Sequence, residues 1–222
     1  MTLQRYDIYR LIHKGIRSYL TETLLAIGRM DPRETVDRNG ALDQLEQLLN
    51  FCMGHLQHEN AFIHPAMERV KPGCAESMYD HHQHHEAMIR DLRRAATDLK
   101  IAEPVERDAL AAELYRNLAV FVADNLAHMH EEETVNNAIL WEGYSDEDIM
   151  AIEHALVSSL TPEENAQTMV WMLPAMNHQE RCEFLAGMRQ GAPREVFDGT
   201  LAIARQRLAA GEWGRLELAL AS

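Results

Sequence analysis

Seven histidine and glutamate side chains in the N-terminal two-thirds of this chain have the chemistry and the spacing of metal ligands. They are His13, His55, Glu59, His81, His85, His128 and Glu132. In an α-helix, residues four apart lie one above the other on the same face, so two such side chains present their ligand atoms to one place. The chain holds three pairs at this spacing. A mixture of imidazole and carboxylate suits iron, with manganese or zinc as substitutes.

These residues replace apolar side chains in the stripe that repeats every three or four residues along each predicted helix. One such stripe reads Leu48, Cys52, His55 and Glu59. A helix buries this stripe, and burying polar groups without compensation costs on the order of several kcal/mol each. Metal ions supply the compensation, and seven ligands are too many for one tetrahedral ion but suit two ions. The pattern therefore predicts a buried site for two metal ions.

One alternative within this ligand set stays open. A shift of one residue presents His82 and Glu86 at the same spacing as His81 and His85. The other histidines of this region fall off the predicted stripes, so we expect them to lie at the surface or beside the ligands. They are His58, His64, His84 and His130.

The elements that must position these ligands are helices, because apolar residues recur every three or four positions and sustained alternation is missing. The four predicted helices, A to D, span residues 3–29, 38–69, 75–101 and 105–141. Breaks at Pro32, at Lys71-Pro72-Gly73 and at Pro104 separate them, and Asp37 is a predicted N-cap for helix B. Short connections between long helices favour an up-down-up-down four-helix bundle, and the fold class is all-α.

Beyond Gly143 the pattern changes to shorter helices. Thr161 precedes a proline and two glutamates, and Asn177 can cap a helix that runs to Gly191. Pro193 can open another helix that reaches Gly211. We therefore predict a bundle domain over residues 1–144 and an all-helical extension over residues 145–222 that packs on it.

The composition excludes several classes of partner. Lys and Arg total 21 against 35 Asp and Glu, a net charge of -14 that repels nucleic acid and anionic membranes. The sequence has neither a signal peptide nor the roughly 18–20 apolar residues of a membrane span, so we expect a cytoplasmic protein. The three cysteines form no CxxC pair, which argues against a disulfide framework and a thiolate zinc site.

Over helices A to D, about two-thirds of the chain, the sequence resembles the hemerythrin-like (HHE cation-binding) proteins. The resemblance rests on His13 and on the segments HLQHE at 55–59, HHQHH at 81–85 and HMHEE at 128–132, in the order of that family. It implies two iron ions that share bridging glutamates and an oxo or hydroxo group derived from solvent. Carried over by position, the ligands of one iron are His81, His85 and His128, those of the other are His13 and His55, and the bridges are Glu59 and Glu132. The iron with fewer protein ligands keeps an open position for dioxygen, nitric oxide or peroxide.

The chain departs from the oxygen carriers of that family in helix D, where those proteins have their carboxylate at the position of Glu133. We prefer Glu132 because it stays on the buried stripe. The long connection between His13 and His55 is similar to the sensor and regulatory members. We therefore expect a non-catalytic protein that binds or senses dioxygen, nitric oxide or iron. The alternatives are a di-iron enzyme acting on peroxide or nitric oxide, and a metal-switched module that binds a protein partner or a second copy through residues 145–222.

Overall fold

Helices account for the secondary structure of this protein. The structure, a computed structural model, describes residues 5–221 and contains no β-strand over that range, which confirms the all-α class. The α-helices are α1 (Arg10–Arg29), α2 (Thr35–His58), α3 (His64–Val70), α4 (Glu76–Ile101), α5 (Arg107–Glu131), α6 (Asn137–Gly143), α7 (Asp146–Ser159), α8 (Pro162–Ala175), α9 (His178–Gly191), α10 (Arg194–Arg207) and α11 (Ala210–Ala221). Two π-helices, π1 (Glu59–Ile63) and π2 (Glu132–Asn136), join α2 to α3 and α5 to α6. None of the helices between residues 5 and 221 is both long enough and apolar enough to cross a membrane.

The predicted helix breaks are confirmed. Helix α1 ends at Arg29, shortly before Pro32, and α3 ends at Val70 before the Lys71-Pro72-Gly73 turn. Gly73 has φ +83, a backbone conformation that a residue with a Cβ rarely adopts. Proline and glycine therefore end these helices for the reasons that the sequence indicates.

Helix α1 begins at Arg10, later than the predicted start at residue 3, and residues 3 and 4 lie outside the described part of the chain. The Arg5 guanidinium donates to Asp146 Oδ1 at 2.6 Å, and the Trp141 indole donates to the carbonyl of Tyr6 at 2.7 Å. These tertiary hydrogen bonds give residues 5 and 6 partners that do not require a helix. Helix α2 also begins earlier than predicted, at Thr35.

The chain divides into two compact units. Among the described residues, the N-terminal unit comprises 5–8 and 19–156, and the C-terminal unit comprises 9–18 and 157–221. In the N-terminal unit, α4 packs against α5 and α2, and α3 packs against α6. Completely buried side chains fill its core, among them Leu45, Leu48, Ile89, Leu118 and Phe121. The predicted up-down-up-down topology, and the predicted domains 1–144 and 145–222, stay predictions.

The C-terminal unit has its own apolar core. Met169, Met172, Leu173, Met176, Leu185, Ala204, Leu208 and Leu216 form it. Capping boxes start α8 at Thr161 and α9 at Asn177, as predicted. The helix predicted from Pro193 to Gly211 is instead two helices, because α10 ends at Arg207 and α11 begins at Ala210. The buried Arg181 guanidinium donates to the carbonyl of Leu173 at 2.8 Å and so satisfies an acceptor in the last turn of α8.

Candidate metal centre

Two π-helices place the two glutamates of the centre. Each π-helix begins at a glutamate, π1 at Glu59 and π2 at Glu132, and both carboxylates are completely buried. A π-turn holds more residues than an α-turn, so every side chain after it is rotated relative to a continuous α-helix. Ile63 and Asn136, the last residues of the two π-helices, are buried, whereas a three-residue step beyond each glutamate in a continuous α-helix would bury Phe62 and Val135. Such π-turns are frequent at functional sites.

The first ligand group, which we call the His82 group, contains residues from π1, α4, α5 and π2. Its members are Glu59, His82, His128 and Glu132. One ligand atom from each lies within 4.8 Å of the others, and all four side chains are buried. His82 Nε2 lies 3.1 Å from His128 Nε2 and 3.6 Å from Glu59 Oε2, and His128 Nε2 lies 3.3 Å from Glu132 Oε1. Four inward-facing ligand atoms this close together can hold one metal ion.

The second group, which we call the His55 group, contains His55 together with the same two glutamates. Ligand atoms of His55, Glu59 and Glu132 also lie within 4.8 Å of one another. His55 Nε2 is 3.2 Å from Glu59 Oε1, whereas His82 faces the other oxygen of that carboxylate. Glu59 therefore offers one oxygen to each group. A carboxylate in this position can contact two neighbouring cations.

Helix α4 contributes His82 to the centre rather than His81. His81 has 45% of its side chain exposed, and its Nδ1 lies 3.9 Å from Glu131 at the rim. The buried stripe of α4 steps four residues from Met78 to His82, then three to His85 and four to Ile89. The predicted pair His81 and His85 would instead require a three-residue step after Met78, which would bury His81 in place of His82. Glu86, the partner of His82 in the alternative assignment, is outside both groups.

His85 is buried as predicted, but its imidazole contacts the carboxylate of Asp124. Its Nε2 lies 2.7 Å from Asp124 Oδ2, and the ring is outside both ligand groups although it lies 4.9 Å from the ring of His128. Burial, with a further contribution from His128, lowers the pKa of His85 to about 4, while Asp124 opposes the change. His85 is therefore a neutral imidazole at physiological pH, the form that binds metals.

His13 is completely buried on α1, in the segment that belongs to the C-terminal unit. Its ring lies 5.0 Å from that of Tyr9. Its assignment as a metal ligand stays a prediction. Of the two candidate glutamates of helix D, Glu132 belongs to both groups, and Glu133 is half-buried outside them.

Asn60 contacts the candidate ligand His82, which the sequence pattern does not predict. Its side-chain oxygen lies 2.8 Å from His82 Nδ1 and accepts a hydrogen bond from it when that nitrogen carries the proton. The proton on Nδ1 leaves the Nε2 lone pair of His82 facing the two glutamates and His128. Its position directly after Glu59 was visible in the sequence, but nothing in the spacing distinguished it from a surface asparagine.

His64 lies beside the candidate ligand His82, which is one of the two positions expected for it. It is the first residue of α3 and is completely buried. Its ring stacks on that of His82, with centroids 4.8 Å apart and planes 28° apart, and meets the ring of Tyr79 edge-on. Burial, followed by the neighbouring His82, lowers the pKa of His64 to about 4. The π-helix that precedes His64 turns its side chain towards the interior, and the sequence pattern does not predict a π-helix.

The donor set fits metal ions. Two buried carboxylates face three imidazoles, and ionised carboxylates are stable in a protein interior only when positive charge balances them. Imidazole and carboxylate together suit iron, manganese and zinc, and no thiolate belongs to either group. The site can therefore bind cations.

The fold is all-α, and its buried histidines and glutamates can hold metal. These two features define a class of helical cation-binding proteins. A family profile described as the hemerythrin HHE cation-binding domain matches residues 4–139, more than half of the chain. The chain therefore belongs to the hemerythrin HHE family. Neither the comparison with curated proteins nor that with solved structures found a match.

Proposed function

We propose that this protein binds two iron ions and uses them to bind or sense dioxygen, nitric oxide or iron, without turnover. The observation that carries the proposal is the pair of glutamates, Glu59 and Glu132, that belongs to both ligand groups. A single ion would need only one of these groups. Two groups that share two carboxylates match two cations held side by side.

Each of the two ligand groups would hold one of the ions. The His82 group would hold one ion and the His55 group the other, with both glutamates contributing oxygen to each. Two bound iron ions supply a redox-active centre with affinity for small diatomic ligands. Asn60 holds the orientation of His82 through its contact with Nδ1 at 2.8 Å. Outer contacts of this kind contribute about 10–100-fold to metal affinity in proteins.

The surroundings of the centre favour small ligands. Apolar side chains in the same helical segments are buried, including Cys52, Ile63, Met67 and Met78. Burial raises the pKa of the Cys52 thiol to about 12, so it stays protonated and packs as a small apolar group. A diatomic molecule needs less space in such packing than an organic substrate, which supports a gas as the ligand of the centre.

Elemental analysis and optical spectra of the purified protein test the proposal. We expect two irons per chain, oxo-bridge absorption, and a reversible spectral change with air or nitric oxide that is stoichiometric and releases no product. Glu132→Gln should lower the iron content, because an amide cannot balance or bridge two cations. Glu133→Gln is the matched control and should retain both irons.

Two results would reject parts of this proposal. One zinc per chain, with no iron, would reject the di-iron centre. Two irons with sustained consumption of peroxide or nitric oxide would keep the centre and make the protein an enzyme.

A further inference from the structure

We propose that His64 is a metal ligand of the His82 group, an additional imidazole supplied by the first residue of α3. This inference rests on the proposed function, because it requires a bound ion. It adds a residue that the linear pattern of the chain does not mark as a ligand.

The position of the His64 ring carries the inference. With metal–nitrogen distances of about 2.1 Å, two imidazoles on adjacent positions of one ion have centroids roughly 4.5–5 Å apart. The rings of His64 and His82 are separated by 4.8 Å, and those of His82 and His128 by 4.9 Å. The ring of His64 thus has the same spacing from that of His82 as the ring of His128. Its nitrogens are not within 4.8 Å of all four ligand atoms of the group, so the ring would have to turn towards a bound ion.

The polar atoms of His64 give a second argument. Both ring nitrogens are buried, and neither has a hydrogen-bond partner among residues 5–221. Burying a polar group without a partner is costly, so native structures avoid it unless the site has another occupant. A metal ion bound to one of these nitrogens would supply that partner.

Metal affinity and the stability of the metal-free protein, measured together, test the inference. His64→Leu keeps a side chain of similar size and removes both nitrogens. We expect iron affinity, measured by competition with a chelator, to fall about tenfold or more. We expect the melting temperature of the metal-free variant to equal or exceed that of the wild type, because the variant no longer buries two polar atoms without partners. His130→Leu, which replaces an exposed histidine of α5, is the control and should change neither quantity.

The outcomes separate this inference from the proposed function. Wild-type iron affinity in His64→Leu would overturn the ligand role and leave the di-iron centre intact. A wild-type protein that binds no metal would overturn both proposals. If the variant fails to fold, a crystal structure of the iron-loaded wild type decides. A His64 nitrogen about 2.0–2.3 Å from an ion supports the inference, and one beyond about 3.5 Å overturns it.

Discussion

A one-residue difference on α4 decides which histidine enters the centre. His81 and His82 are adjacent, and each has a possible ligand four residues further along the helix, His85 or Glu86. The structure buries His82 against Glu59 and His128 and leaves His81 at the rim. Residue type alone cannot resolve this choice, because the polar segment 80–86 has no apolar residue to indicate its inward face.

Substituting the two neighbours separately tests the assignment. His82→Ala removes an imidazole from the four-residue group, so we expect metal affinity to fall about tenfold or more in a chelator competition. His81→Ala is the matched control, the same change one residue away on a half-exposed side chain, and its affinity should stay within about twofold of the wild type. A large loss of metal affinity in His81→Ala, with none in His82→Ala, would show that α4 contributes His81 and not His82.

The sequence predicted those parts of the centre that depend on local spacing. His55 with Glu59, and His128 with Glu132, lie where the four-residue pairs indicate, because both members of each pair precede or begin the π-turn. Asn136 ends π2 and His64 directly follows π1, and their inward direction follows from a backbone change that side-chain patterns do not reveal. On α2 and α5, the predicted buried positions therefore agree with the structure up to each glutamate and are shifted by one residue beyond it.

At the scale of elements, the N-terminal unit contains two copies of one arrangement. Helices α2 and α5 each continue through a five-residue π-helix into a seven-residue α-helix, α3 or α6. Each copy brings a histidine and a glutamate to the centre. The short helices α3 and α6 pack against each other, so the two copies meet beyond the metal centre.

The contact between these copies depends on Gly143, the last residue of α6. A Cβ at this position would overlap both methyl groups of Val70, the last residue of α3. We therefore expect Gly143→Ala to lower the free energy of unfolding by about 1–3 kcal/mol, measured by urea denaturation. Adding Val70→Ala should recover part of the loss, because it removes the methyl groups that collide.

Gly40→Ala on α2 is the control for this substitution. A Cβ there meets no atom within 4 Å, so alanine should stabilise the helix by about 0.5–1 kcal/mol through its lower backbone entropy. Equal effects of the two alanine substitutions would contradict the close packing of α3 against α6.

At the scale of the whole molecule, composition and metal binding act together. The chain carries a net charge of -14, and two of its carboxylates are buried at the centre. Negative charge raises the local concentration of cations and opposes the compact state until they bind. Because the buried ligands assemble only in the folded chain, the free energy of metal binding contributes to the free energy of folding. The C-terminal unit has an apolar core of its own, built from α8 to α11 and without any member of the His82 group.

Metal removal should therefore destabilise the two units unequally. A ligand at about 1,000 times its dissociation constant stabilises a protein by about 4 kcal/mol, which for a chain of this size corresponds to a melting temperature lower by on the order of 10 °C after chelation. Hydrogen exchange should accelerate most in α2, π1, α4, α5 and π2, which carry the ligands, and least in α9, α10 and α11. A melting temperature unchanged by chelation would reject the buried metal centre. Equal acceleration in α10 and α4 would show that stabilisation by metal is not confined to the helices that hold it.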